Sequence, residues 1–130
     1  MTNISIRTLQ GEELLDVLYN FQMYAFRASP PYADKEEWAK VVRERKGVTY
    51  RTMYEDDRAV AGAASTAMTQ NVRGNLYPAG GVWGVVTLPA ARRKGYSKQV
   101  LASLLTAEKE SGKVFSNLYP FRESFYERLG

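Results

Sequence analysis

Ile4 and Ile6 alternate with Asn3, Ser5, Arg7 and Thr8 at the start of the chain, a period of two that predicts a short first strand. The period then changes. From about Gln10 to Arg27 the apolar set Leu14, Leu15, Val17, Leu18, Phe21, Tyr24 and Ala25 follows helical spacing. Ser29-Pro30-Pro31 stops that helix, because proline cannot continue one and turns its predecessor towards extended geometry. A second helix is predicted from about Asp34 to Lys46, with Asp34 as N-cap, Glu36 and Glu37 in the first turn, and Arg43, Arg45 and Lys46 near the end. That charge order complements the helix dipole. Val48 to Tyr54 and Arg58 to about Thr69 predict an antiparallel hairpin turning at Asp56-Asp57, and Gly74 and Pro78 mark Asn71 to Gly80 as a loop.

Val82 to Thr87 is almost continuously apolar, the pattern of a strand central in its sheet. A helix is expected from about Arg92 to Ser111, burying Tyr96, Val100, Leu101, Leu104 and Leu105, with Gly112 as its C-terminal glycine. Lys113 to Tyr119 reads as another strand, Pro120 breaks it, and a short helix carries Phe121 to Leu129. The order β-α-α-β-β-β-α-β-α predicts an α/β fold with a mixed sheet, antiparallel first and parallel after the crossover that begins at residue 82. At 130 residues the chain is read as one domain, 1–130, with no internal repeat.

Composition narrows the chemistry more than the fold. Apolar residues make up 45% and charged residues 25%, ordinary for a globular protein. The start of the chain lacks a signal-like hydrophobic stretch and no apolar run reaches bilayer length, which gives a cytoplasmic, membrane-free expectation. With no cysteine and no histidine, disulfides, thiolate nucleophiles, Cys/His metal sites and Ser-His-Asp relays are excluded. Any catalysis must use Tyr, Asp, Glu, Lys, Ser, Thr, backbone N–H groups and water. Charge is uneven. Residues 1–65 hold 9 Lys/Arg against 10 Asp/Glu, and residues 66–130 hold 9 against 4. Such an excess suits an anionic small molecule and is thin for general nucleic-acid binding.

The basic half contains Gly80-Gly81-Val82-Trp83-Gly84-Val85-Val86-Thr87-Leu88-Pro89-Ala90-Ala91-Arg92-Arg93-Lys94-Gly95-Tyr96-Ser97. It reads as a strand, a short cationic loop with one glycine, and a helix start. A helix start offers unpaired N–H groups and the positive end of a dipole, so this layout suits a phosphate-bearing ligand. A solvated basic turn is the plainer alternative, but such a turn has no need of Gly95.

Arg92-Arg93-Lys94-Gly95-Tyr96-Ser97 resembles the pyrophosphate loop of the GCN5-related N-acetyltransferase (GNAT) superfamily, Gln/Arg-x-x-Gly-x-Gly/Ala, with Ser97 where Gly or Ala is usual. Phe125-Tyr126-Glu127-Arg128-Leu129-Gly130 is similar to the superfamily's later Phe-Tyr-x-x-x-Gly landmark. Within it, Gly80-Gly81-Val82, Val85-Val86-Thr87-Leu88-Pro89 and Leu118-Tyr119-Pro120-Phe121 resemble most the N-terminal domain of the Eis-like (enhanced intracellular survival) acetyltransferases. The resemblance follows the element order over the whole chain, with specific motifs at 80–98 and 118–130.

The resemblance implies acetyl-CoA as co-substrate and no metal. The N–H groups from Arg93 to Lys98 would hold the pyrophosphate, Gly95 would permit close backbone approach, and Arg92, Arg93, Lys94 and Lys98 would supply charge, with Tyr96 and Ser97 at the helix start. Val85, Val86 and Thr87 would present backbone groups to the pantetheine arm where the strand bulges beside Gly84, although a fully paired core strand is an equal alternative for Val86 alone. Tyr126 would be the general acid, because a phenol suits a leaving alkyl thiolate of similar basicity. By composition alone Tyr126 fits a core aromatic better. With no Cys and no His, direct attack of a neutral amine on the thioester is favoured over an acyl-enzyme.

No general base is assigned. Asp34, Glu36, Glu37, Glu55, Asp56 and Asp57 are most simply helix-start or turn residues, and in the Eis-like family the base is the carboxyl terminus of a longer polypeptide. Superfamily domains continue past the equivalent of Gly130 by two strands, so the chain is expected to be a fragment or a truncated relative with strand 113–119 open at its edge. The acceptor is expected to be a small-molecule or lysine amine. Phe26, Trp38 and Trp83 could line its pocket but fit core or interface positions better. Neither nucleic acid nor membrane is expected as a partner, and self-association is left open. The rival readings are a catalytically silent acyl-CoA-binding module and, less well matched, a small basic nucleic-acid binder.

Overall fold

The computed structural model describes residues 2–26 and 35–118. Within them the elements are β1 (Ile4–Thr8), α1 (Gly11–Phe26), α2 (Lys35–Glu44), β2 (Val48–Glu55), β3 (Arg58–Val72), β4 (Asn75–Thr87), α3 (Tyr96–Glu110) and β5 (Phe115–Leu118), with one 3-10 turn at Pro89–Ala91. The sheet runs β1-β2-β3-β4-β5. Its first three pairings are antiparallel and β4–β5 is parallel, matching the α/β expectation. The predicted last helix, the Ser29-Pro30-Pro31 stop and the Asp34 cap lie outside the described residues.

Two apolar clusters hold the layers together. On one face α1 and α2 bury Leu15, Leu18, Phe21, Trp38, Ala39 and Val42 against Tyr50, Tyr54, Ala64 and Val86. On the other, α3 buries Tyr96, Val100, Leu101 and Leu104 against Met53, Val60, Ala61, Ala63 and Val82. All three helices show the three- and four-residue spacing that a core-facing stripe requires. Leu105, expected in the core, is only half-buried.

Two expectations are corrected. The segment 71–80 is a hairpin, not a loop: Arg73 and Gly74 both have positive φ (53° and 86°), the signature of a tight two-residue turn, and Val72 pairs with Asn75. Pro78 fits inside β4 because β5 begins its pairing only at Ala79, so no β5 acceptor is denied an N–H there. The strand through 82–87 belongs to β4, which lies inside the sheet between β3 and β5, as its apolar run predicts. Finally, α3 starts at Tyr96, not Arg92, because Arg93 and Gly95 take left-handed φ values of 65° and 76°. Among the described residues no helix is long and apolar enough to cross a membrane.

Candidate functional site

β4 changes character half-way along. Ala79, Gly80, Gly81 and Val82 pair with Phe115 to Leu118, and beyond Val82 no described residue pairs with β4 on that side. On its other side Trp83 faces Ala64 and Val86 faces Gly62, leaving Gly84 and Val85 opposite Ala63 alone. This is a bulge, and Gly84 carries its φ of 62°. The bulge re-aims the strand's backbone groups, here those of Val85, Val86 and Thr87.

The chain then turns through Pro89–Ala91 and Arg92–Gly95 into α3. Arg93 and Gly95 have positive φ and Lys94 between them does not. Alternation of this kind turns successive N–H groups to a common side, the concavity that receives anions. Gly95 is the N-cap, and no side chain caps the helix. Gln99 is the first helix residue with a backbone acceptor, Gly95 O at 3.2 Å, so the N–H groups of Tyr96, Ser97 and Lys98 stand at the open, positive end of the dipole. A Cβ placed on Gly95 would meet nothing within 4 Å. The approach is clear.

Between the re-aimed strand and this helix start lies a groove of about 760 Å³, lined by Tyr24, Ala25, Val85, Val86, Thr87, Ala91, Arg92, Arg93, Gly95, Tyr96, Ser97 and Lys98. That volume is in the range of small-molecule sites. Ser97 and Thr87 join their hydroxyls at 2.5 Å, tying the helix start to the strand end. Arg92 donates from Nη2 to the Tyr24 hydroxyl at 2.6 Å, which brings the last turn of α1 in as the opposite wall.

Lys94 departs from the expected arrangement. Its ammonium turns away from the groove to Glu55 Oε2 at 3.0 Å, and Tyr96 donates its hydroxyl to the same oxygen at 2.7 Å. The Tyr96 hydrogen bond first, and Lys94 second, hold the Glu55 carboxyl below the usual carboxylate range. The same hydrogen bond raises Tyr96 and keeps it a neutral donor. The structure thus brings together the sequence-derived positions Val85, Val86, Thr87, Arg92, Arg93, Gly95, Tyr96, Ser97 and Lys98, and sets the Lys94 side chain apart. Tyr126 and the rest of the Phe-Tyr landmark lie outside the described residues.

Sequence reasoning missed Tyr24 and Ala25, which read only as helix-face positions, and it read Glu55 only as a turn residue. Nothing along the chain signals that these three meet the loop. Of the aromatics considered for an acceptor pocket, Trp38 is core, edge-on to Tyr19 with ring centroids 5.3 Å apart. Trp83 is half-buried and donates its indole N–H to Thr66 Oγ1 at 2.8 Å, and the Phe26 side chain is outside what is described. No cluster of three or more His, Cys, Asp or Glu suited to a metal ion occurs among the described residues.

A family profile for the acetyltransferase (GNAT) domain matches residues 5–130. The chain belongs to that GNAT family. No curated protein matches it. Among solved structures, a conserved protein of unknown function from Enterococcus faecalis is 22% identical with a TM-score of 0.84, covering 98% of this chain and 32% of its own. A GCN5-related N-acetyltransferase of Kribbella flavida is 23% identical with a TM-score of 0.83, covering 99% and 33%. A predicted acetyltransferase of Clostridium acetobutylicum, with acetyl-CoA, is 15% identical with a TM-score of 0.81, covering 98% and 89%. At these identities the likeness is one of fold. The chain spans about a third of the length of the Enterococcus and Kribbella proteins. GNAT acetyltransferases use acetyl-CoA.

Proposed function

We propose that this GNAT domain binds acetyl-CoA in the groove between β4 and α3 and transfers the acetyl group to a primary amine. The diphosphate lies over the N–H groups at 95–98 with Arg92, Arg93 and Lys98 around it, and the pantetheine amides pair with the backbone of Val85, Val86 and Thr87. A neutral amine attacks the thioester carbon directly, the C–S bond breaks, and the Tyr126 hydroxyl delivers a proton to the departing thiolate. The general base stays unassigned. The acceptor is a small-molecule or lysine amine, the compartment is the cytoplasm, and the subfamily is the Eis-like one, a reading supported by the residues at 80–96 and 118–126.

One observation carries the proposal: an uncapped helix start and the re-aimed segment of β4 line a single groove whose mouth Gly95 leaves clear. The test is thermal unfolding with and without coenzyme A. A ligand at about a hundred times its Kd stabilises the folded state by about 2.7 kcal/mol, so the melting temperature should climb with coenzyme A concentration. A melting temperature indifferent to millimolar coenzyme A would remove the reading. Tyr126→Phe should lose turnover and keep that shift. If the parent protein binds but never turns over any amine, the transferase gives way to a silent binding module.

A further inference from the structure

Glu55 ends β2, 39 residues before Lys94 and 41 before Tyr96, and a single carboxylate oxygen accepts from both. The geometry around it is directional. Arg93 and Gly95 line the groove while Lys94, between them, does not. Its side chain instead borders a shallow cavity with Thr2, Glu55, Asp56, Asp57 and Arg58 on the far side of the loop. The Lys94 ammonium lies 5.7 Å from the centroid of the Tyr96 ring, and that ring is buried in the α3 cluster. Glu55 therefore grips the loop from behind at its middle residue and at the first residue of the helix.

The grip matters because of what the loop must do. Its backbone has to hold two left-handed residues, one of them the non-glycine Arg93, a conformation that costs energy unless the surroundings impose it. No side chain caps the helix to help. Ordering such a loop only when the ligand arrives would subtract from affinity, and ordering it beforehand would not. On the ligand side, Ser97 to Thr87 ties the helix start and Arg92 to Tyr24 ties the loop's first residue, but neither holds Arg93 or Lys94.

We propose that Glu55 is a positioning residue for the phosphate loop: by holding Lys94 and Tyr96 it keeps the backbone at 93–98 in its ligand-accepting shape before the ligand arrives. The proposal rests on the groove being a coenzyme A site. It predicts a ligand-free property as well as a binding one, so the two claims can fail separately.

The experiment compares wild type, Glu55→Ala and Glu55→Gln in two measurements. One is calorimetric titration with coenzyme A. The other is the rate of tryptic cleavage after Arg92 and Arg93 in the ligand-free folded protein. Glu55→Ala should bind coenzyme A about tenfold more weakly, roughly the effect of losing a hydrogen bond to a charged group, and its loop should be cut faster. Glu55→Gln retains an oxygen for the Tyr96 hydroxyl and the Lys94 ammonium and should stay within about threefold of wild type in both. Wild-type behaviour of Glu55→Ala in both measurements overturns the proposal. So does an equal change in affinity for Ala and Gln, which would make the carboxylate a source of charge and nothing more. Should Glu55→Ala fail to fold, Tyr96→Phe removes one of the two bonds and should show faster cleavage and weaker binding, and no change in either would sink the idea. If wild type itself ignores coenzyme A, the acetyltransferase reading falls and the cleavage rates alone decide whether Glu55 orders the loop.

Discussion

Two lysine–glutamate pairs stand at the two ends of α3, nearly equal in distance and opposite in setting. At the N-terminal end Lys94 meets Glu55 at 3.0 Å, with side chains 47% and 20% exposed. At the C-terminal end Lys113 meets Glu108 at 3.2 Å, with side chains 15% and 3% exposed. The first pair backs a loop whose other side lines the groove. The second is walled in: a Cβ on Gly80 would fall 2.1 Å from Glu108 Oε2 and 2.7 Å from Ser65 Oγ. Lys113 reaches Glu108 by distance but not in hydrogen-bond alignment, so neither carboxylate oxygen has a hydrogen bond among the described residues. A charge near an open backbone can exchange partners when a ligand comes. A charge sealed against a glycine cannot, and it belongs to the fold.

The largest expected effect separates the pairs directly. Lys113→Ala strands a buried carboxylate and should lower unfolding free energy by about 3 kcal/mol in chemical denaturation. Lys94→Ala, at an exposed pair, should leave the denaturation midpoint where it was. Equal losses from both would abolish the distinction between a working end and a structural end. The two glycines sharpen it next. Gly80→Ala forces a methyl into Glu108 and Ser65 and should cost about 2 kcal/mol of stability, with coenzyme A affinity of the folded protein retained. Gly95→Ala meets no atom, and its stability cost is the left-handed φ alone, about 1 kcal/mol. Gly95 lines the groove beside the helix start, so coenzyme A affinity should fall.

These contrasts explain what could be read along the chain. The strand, glycine and helix start of the candidate site are local, set by periodicity in 82–87 and 96–110 and by Gly95 itself, so their order followed from sequence, and the part that Val85, Val86 and Thr87 take in the groove's lining followed from the resemblance to the GNAT superfamily. The hairpin at 73–74 was hidden because Gly74 and Pro78 are loop signals until one knows that pairing with β5 begins at Ala79, and that Pro78 gives that side only its carbonyl, which accepts from Val114 N–H at 2.8 Å. The start of α3 slipped by four residues because nothing in Arg92-Arg93-Lys94 announces a left-handed Arg93. The direction of Lys94 was unreadable for a different reason. It depends on Glu55, which reaches the loop only through the packing of β2 beside α3. Tyr24 joined the groove in the same way, through Arg92. Local pattern carries backbone; long-range packing decides where side chains point.

Tyr50 supplies burial without charge, and so isolates what burial alone costs. Its hydroxyl is fully enclosed and has no hydrogen-bond partner among the described residues, and a Cβ on Gly62 would fall 2.5 Å from it. Tyr50→Phe removes an unsatisfied polar atom and leaves the ring in place, which should raise stability by about 1 kcal/mol. Alkaline pH provides the check. Burial, and secondarily Tyr54, pushes the Tyr50 phenol well above its usual value, so in the folded state it keeps its proton where an unfolded tyrosine loses it. Above pH of about 10 the unfolded state therefore binds fewer protons than the native one, and stability falls as pH rises. Phenylalanine has no proton to lose, so the advantage of Tyr50→Phe should widen from pH 9 to pH 11. A variant less stable than wild type at pH 7 would mean that the hydroxyl is satisfied after all, and that enclosure on the α1 side of the sheet differs in kind from the enclosure around Glu108.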